Sequence, residues 1–109
     1  MKLTYLLLTV FVLAAAPAFA GKIYGSITEA GKPIAQGVKV DVTCGSNTYS
    51  AQTDAYGAFN LFATDKGKCV LKITYQGQMP SIDINSYDNS VQYDLILEKQ
   101  GTQYTIKRK

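Results

Sequence analysis

From Lys22 onward, apolar and polar residues alternate along much of the chain with a period of two, the signature of half-buried strands. Ile23, Gly25 and Ile27 fall on one face and Tyr24, Ser26 and Thr28 on the other, which predicts a first strand over residues 22–29. Val38, Val40, Val42 and Cys44 alternate with Lys39, Asp41 and Thr43 in a second strand, β-branched on one side and polar on the other. A third strand is expected over 48–53, with Tyr49, Ala51 and Thr53 on one side. A fourth covers 58–62, where Phe59 and Leu61 alternate with Ala58 and Asn60. Cys69, Leu71, Ile73 and Tyr75 mark the inner face of a fifth, and Ile82 and Ile84 a brief sixth. Val91, Tyr93, Leu95 and Leu97 line a seventh, opposed by Gln92, Asp94 and Glu98. Ile96 interrupts its polar side and implies some cover there. The C-terminal residues, 103–109, read as either an edge strand or a tail.

Turn chemistry separates these runs. Gly31 and Pro33 break the chain after the first strand. Asp54 is placed to accept a hydrogen bond from the backbone two residues on, and Gly57 supplies a positive φ at little steric cost. Gly45-Ser46-Asn47, residues 64–68, residues 76–80 and a polar loop around Tyr87 punctuate the rest. No segment sustains helical periodicity, and turn signals recur at about 8–12 residues. The prediction is an all-β, seven-stranded antiparallel β-sandwich with a small closed barrel as the alternative.

Residues 1–20 stand outside this pattern. Met1-Lys2 is basic, residues 3–16 are mostly apolar, and Pro17-Ala18-Phe19-Ala20 ends in a small-x-small motif. This predicts a secretory signal peptide cleaved after Ala20 rather than a membrane anchor, since the apolar run is short for a bilayer. Removing 20 of the 109 residues leaves 89, enough for one domain with no membrane span. The reading places the protein outside the cytoplasm, in a periplasm or beyond the cell. The formal net charge of +3, one unit less without Lys2, is too weak to imply nucleic acid or an anionic membrane as partner. Lys107-Arg108-Lys109 reads as a solvated terminus. Export permits a disulfide between the two cysteines, Cys44 and Cys69. Such a bond closes a loop of about 25 residues and contributes on the order of 3–4 kcal/mol. Buried free thiols are the bland alternative, and a redox pair lacks the Cys-x-x-Cys spacing.

Gly25-Ser26-Ile27-Thr28 with Gly31-Lys32-Pro33-Ile34, then Gly37-Val38-Lys39-Val40-Asp41-Val42, Thr53-Asp54-Ala55-Tyr56-Gly57-Ala58-Phe59-Asn60-Leu61 and Lys68-Cys69-Val70-Leu71-Lys72-Ile73 resemble a carboxypeptidase regulatory-like domain. The resemblance runs over residues 22–97 and implies a prealbumin-like sandwich. It also implies that the second and fifth strands are antiparallel neighbours, which brings Cys44 beside Cys69. Where this chain has Tyr56, the family usually has a small polar turn residue. Some prealbumin-like proteins hydrolyse a purine breakdown product with histidines that this chain does not have.

The chain contains no histidine, which removes Ser-His-Asp and Cys-His catalysis and histidine-based metal sites. Asp54, Asp65, Asp83, Asp88 and Asp94 read as turn and surface residues. Asp83, Asn85, Asp88 and Asn89 are close in sequence but lack EF-hand spacing, so no metal or cofactor is expected. Among the tyrosines, Tyr75 and Tyr93 fit the core. Tyr24 falls on an outer face, and Tyr56 and Tyr87 fall in loops, where exposed rings can dock a protein or stack on a sugar. The expected function is a non-catalytic exported module with a protein-interaction or structural role. The alternative is a carbohydrate-binding module using Tyr24, Tyr56 and Tyr87.

Overall fold

The computed structural model describes residues 21–109, so the expected signal peptide lies outside the described residues. Ten strands follow in order: β1 (Gly21–Glu29), β2 (Lys32–Pro33), β3 (Lys39–Cys44), β4 (Asn47–Gln52), β5 (Ala58–Ala63), β6 (Gly67–Thr74), β7 (Ser81–Ser86), β8 (Val91–Gln92), β9 (Leu95–Gln100) and β10 (Gln103–Arg108). They form two sheets, packed face to face as a sandwich. One runs β4-β3-β6-β7. The other is built on β1, with β5 and β2 along one side, β8 and β9 along the other, and β10 outside β9.

Alternation sets the faces. β3 buries Val40, Val42 and Cys44, and β6 buries Cys69, Leu71 and Ile73, while their odd-out neighbours meet solvent. Ile23 and Ile27 from β1 and Leu95 and Leu97 from β9 close the same core from the opposite sheet. Each fully buried aliphatic side chain contributes about 1.5–3 kcal/mol. β3 and β6 are antiparallel neighbours, with Thr43 opposite Val70. Cys44 and Cys69 are therefore the next pair along, and they are joined in a disulfide with Cα atoms 4.4 Å apart.

The structure departs from the expected strands at two points and decides a third that the sequence left open. Lys32 and Pro33 pair with Glu29 and Thr28 as a short β2, where a plain turn was expected. Residues 103–108 pair with β9 along its whole length, which makes the C-terminal segment an edge strand rather than a tail. The seventh strand is split, and both parts run parallel to β1 rather than antiparallel. The split follows from Gly25. A Cβ there would lie 1.8 Å from the Tyr93 carbonyl oxygen, so the chains touch at that point. Beside it, Asp94 Oδ1 accepts hydrogen bonds from Ser26 N (3.2 Å) and Ser26 Oγ (3.1 Å), and a carboxylate stands in for a ladder carbonyl.

The turn at 53–57 ties the sheets together. Asp54 Oδ1 accepts from Tyr56 N (2.8 Å) and Ala58 N (3.0 Å), closing the expected Asx turn. Buried Thr53 donates from Oγ1 to the Ala35 carbonyl (2.7 Å) and accepts from Val38 N (2.9 Å). Gly57 has φ of +75°, and its carbonyl accepts from Ile27 N (2.9 Å). Gly57 is thus the point where the turn locks onto β1, and Pro33 packs beside it. Gly31 sits at φ +79° in the β1–β2 turn, in open space.

Candidate functional site

The three tyrosines singled out from the sequence do not converge. Tyr24 is half-buried on the outer face of β1, with Lys22 Nζ 5.2 Å from its ring centroid. Tyr56 projects from the Asp54 turn and is 79 % exposed. That turn is anchored at Ile27. Tyr87 is 50 % exposed, and its backbone carbonyl lies against Gly21, at the other end of β1. Six residues of extended strand separate those anchor points, or roughly 20 Å. Tyr56 and Tyr87 therefore occupy opposite ends of the molecule, and no single tyrosine platform contains both.

A different surface residue shares the outer face with Tyr24. Phe62 on β5 is 57 % exposed and lies opposite Lys22, and Asn60 lies opposite Tyr24. Phe62 is thus the diagonal neighbour of Tyr24 across the β1–β5 ladder, within reach of an aromatic side chain. Gln92 flanks Tyr24 from β8. The period-two pattern of the fourth strand already put Phe62 outward, in phase with Ala58 and Asn60. Phe62 is no tyrosine, so a search for tyrosines alone misses it.

The two flanks of the sandwich differ at their open edges. On one flank lie β7 and β10, and side chains cap parts of both edges. The buried Tyr93 hydroxyl donates to the Asn85 carbonyl (2.9 Å) and accepts from Asn85 N (2.8 Å), so one phenol satisfies both edge groups of that residue. The Gln78 side-chain amide does the same for β10. Its Nε2 donates to the Thr102 carbonyl (2.7 Å) and its Oε1 accepts from Tyr104 N (2.9 Å). Asp83, Lys107 and Arg108 add charge to these two edges.

On the other flank lie β4 and β5, and neither strand carries a charged residue. In β5 the register fixes which backbone groups are free. Ile27 N bonds to the Gly57 carbonyl, and by alternation from there Phe59, Leu61 and Ala63 point their backbone groups at β1. Ala58, Asn60 and Phe62 point theirs outward. Asp54 takes both groups of Ala58, through Ala58 N to Oδ1 (3.0 Å) and Asp54 N to the Ala58 carbonyl (2.9 Å). Among the described residues, those of Asn60 and Phe62 have no partner and face outward.

A shallow groove of about 550 Å³ lies at the far end, where β1 turns away and β9 continues past it. Glu29, Ala30, Gly31, Glu98 and Lys99 line it. Its carboxylates are engaged: Tyr75 Oη donates to Glu29 Oε1 (2.9 Å), and Glu98 pairs with Lys107 at 3.0 Å. Tyr104 packs edge-on against Tyr75 with centroids 5.2 Å apart. Its burial, reinforced by the negative charge of Glu29, pushes its phenol above the ordinary range. Among the described residues no group of three or more His, Cys, Asp or Glu is placed to hold a metal ion. Asp88 lies 3.5 Å from Lys66 Nζ.

No family model matches the chain, and none of the curated proteins matches its sequence. Solved structures do match its shape. One is the 5-hydroxyisourate hydrolase of Klebsiella pneumoniae, at 17 % identity and a TM-score of 0.61, covering 82 % of this chain and 98 % of that one. Another is a putative carbohydrate binding protein of Bacteroides uniformis, at 12 % identity and a TM-score of 0.53, covering 82 % of this chain. The match takes in 53 % of that protein's length. At such identities the likeness concerns the fold alone, and the fold is a prealbumin-like β-sandwich.

Proposed function

We propose that this chain is a non-catalytic, exported binding module of the carboxypeptidase regulatory-like type that recognises a protein through a sheet edge. The open edge of β5 carries this reading: an uncharged strand with Phe62 exposed and with the backbone groups of Asn60 and Phe62 facing outward. A strand with such an edge accepts another by β-augmentation, in which main-chain hydrogen bonds give affinity and alternate side chains give specificity. The absence of histidine argues against hydrolase chemistry of the sort named for the Klebsiella protein. The groove beside Glu29 offers no nucleophile–base pair. A buried disulfide fits an oxidising compartment outside the cytoplasm.

A second reading, carbohydrate binding, draws on Tyr24 and Phe62 sharing one outer face with Asn60 and Gln92. Two aromatic surfaces with adjacent amides are the ingredients of a sugar platform.

The two readings separate in one comparison. The protein is immobilised as bait against exported proteins of the source cell, beside an Asn60→Pro variant, and both are applied to a glycan array. Protein capture that is lost in Asn60→Pro supports edge recognition. Sugar-dependent array binding that survives Asn60→Pro and is lost in Tyr24→Ala and Phe62→Ala replaces it with the second reading.

A further inference from the structure

We infer that the strand received at the β5 edge is β5 of a second copy of this chain, paired antiparallel about a twofold axis through Leu61. This rests on the edge-recognition reading and names its partner.

The register follows from which groups are free. In an antiparallel pair, residues directly opposite share a face, so the numbers of two paired residues must have the same parity here. Inward Phe59, Leu61 and Ala63 must meet inward residues, and outward Ala58, Asn60 and Phe62 must meet outward ones. Ala58 is already occupied at both backbone groups by Asp54. A twofold at Asn60 would set Phe62 against that occupied Ala58. A twofold at Leu61 instead sets Asn60 against Phe62 of the other copy, twice over. Those are the two residues with open groups, and each of the two pairs exchanges two backbone hydrogen bonds.

Side chains agree with this register. On the inner row Phe59 meets Ala63 of the other copy, large against small, and Leu61 meets Leu61. On the outer row each Phe62 ring lies against an Asn60 amide. Ala58–Ala63 holds no charge, proline or glycine, so two copies meet without like-charge repulsion. The opposite flank does not offer this. Self-pairing of β10 through Tyr104 would need the Gln78 clip to release Thr102 and Tyr104, on a strand that also carries Lys107 and Arg108.

The β1 sheets of two copies then become one continuous sheet. A contact of one strand per copy is at the small end of specific interfaces, so the dimer is expected to dissociate in the micromolar range.

Sedimentation equilibrium of the purified protein tests this, with amide protection read by NMR over the same concentration series. The wild type is expected to show a concentration-dependent dimer, with slowed exchange at Asn60 and Phe62 and unchanged exchange at Ala58. Asn60→Pro removes an N–H that faces away from β1, so the β1–β5 ladder keeps its bonds. Phe62→Lys places a charge in each outer pair and leaves the backbone untouched. Each variant is expected to weaken dimerisation by about tenfold or more while retaining the wild-type circular dichroism. A wild type that stays monomeric at every concentration overturns the inference, as does a dimer that both variants leave intact. If the monomeric wild type still captures a protein in an Asn60-dependent way, self-pairing fails and edge recognition stands. If the dimer forms but bait capture does not depend on Asn60, recognition of other proteins fails and self-pairing stands.

Discussion

Substituting alanine at Gly57 and at Gly31 separates two costs that glycine avoids. Both residues have positive φ, +75° and +79°, so each alanine incurs the left-handed penalty of about 1–2 kcal/mol. Each also regains about 0.4–1 kcal/mol through a less flexible unfolded chain. These terms cancel in the comparison. What differs is space. A Cβ at Gly31 meets nothing within 4 Å. A Cβ at Gly57 lies 2.9 Å from the Ile27 carbonyl oxygen, 3.0 Å from Ile34 N and 3.2 Å from Pro33 Cβ. Relief requires the turn to move off β1. That weakens two hydrogen bonds, Ile27 N to the Gly57 carbonyl (2.9 Å) and Ile34 N to the Ile27 carbonyl (3.0 Å). At about 1 kcal/mol per bond, Gly57→Ala should be about 2 kcal/mol less stable than Gly31→Ala. For a domain of this size that is a gap in Tm of roughly 8–16 °C. Urea titration and calorimetry of the two variants measure it. Equal destabilisation would refute the claim that the turn at 53–57 is docked on β1, and leave Gly57 as an ordinary turn glycine.

Other expectations follow from single contacts. Tyr93→Phe strips both edge groups of Asn85 of their partner and should cost about 1–3 kcal/mol, with the Asn85 amide exchanging faster by NMR. Ser86 is buried, and its Oγ has no hydrogen-bond partner among the described residues, so Ser86→Ala should stabilise by about 1 kcal/mol in a urea titration. The Cys44–Cys69 bond spans 25 residues of sequence, so the Cys44→Ser, Cys69→Ser double variant should lose about 3.5 kcal/mol on the chain-entropy model. A mass increase of two hydrogens on reducing the wild type checks the bond itself.

The alternation of residues determined most of what the core contains. The period of two points Val40, Val42, Leu71, Ile73, Leu95 and Leu97 inward, and all are buried, because successive Cβ atoms in a strand point to opposite faces whatever the strand pairs with. Asp54 and Gly57 were legible as a turn for the same local reason: a side chain and its own backbone settle the geometry. Only the tertiary structure decided the rest. It made β8 and β9 parallel to β1, broke them at the Gly25–Tyr93 contact, and placed Tyr56 and Tyr87 at opposite ends of one strand. It also closed parts of the β7 and β10 edges with Tyr93 and Gln78, and on β5 it capped Ala58 with Asp54 and left Asn60 and Phe62 without a partner strand among the described residues. These are choices among non-local hydrogen-bond partners, and a period of two is the same for a parallel strand, an antiparallel strand and an unpaired edge.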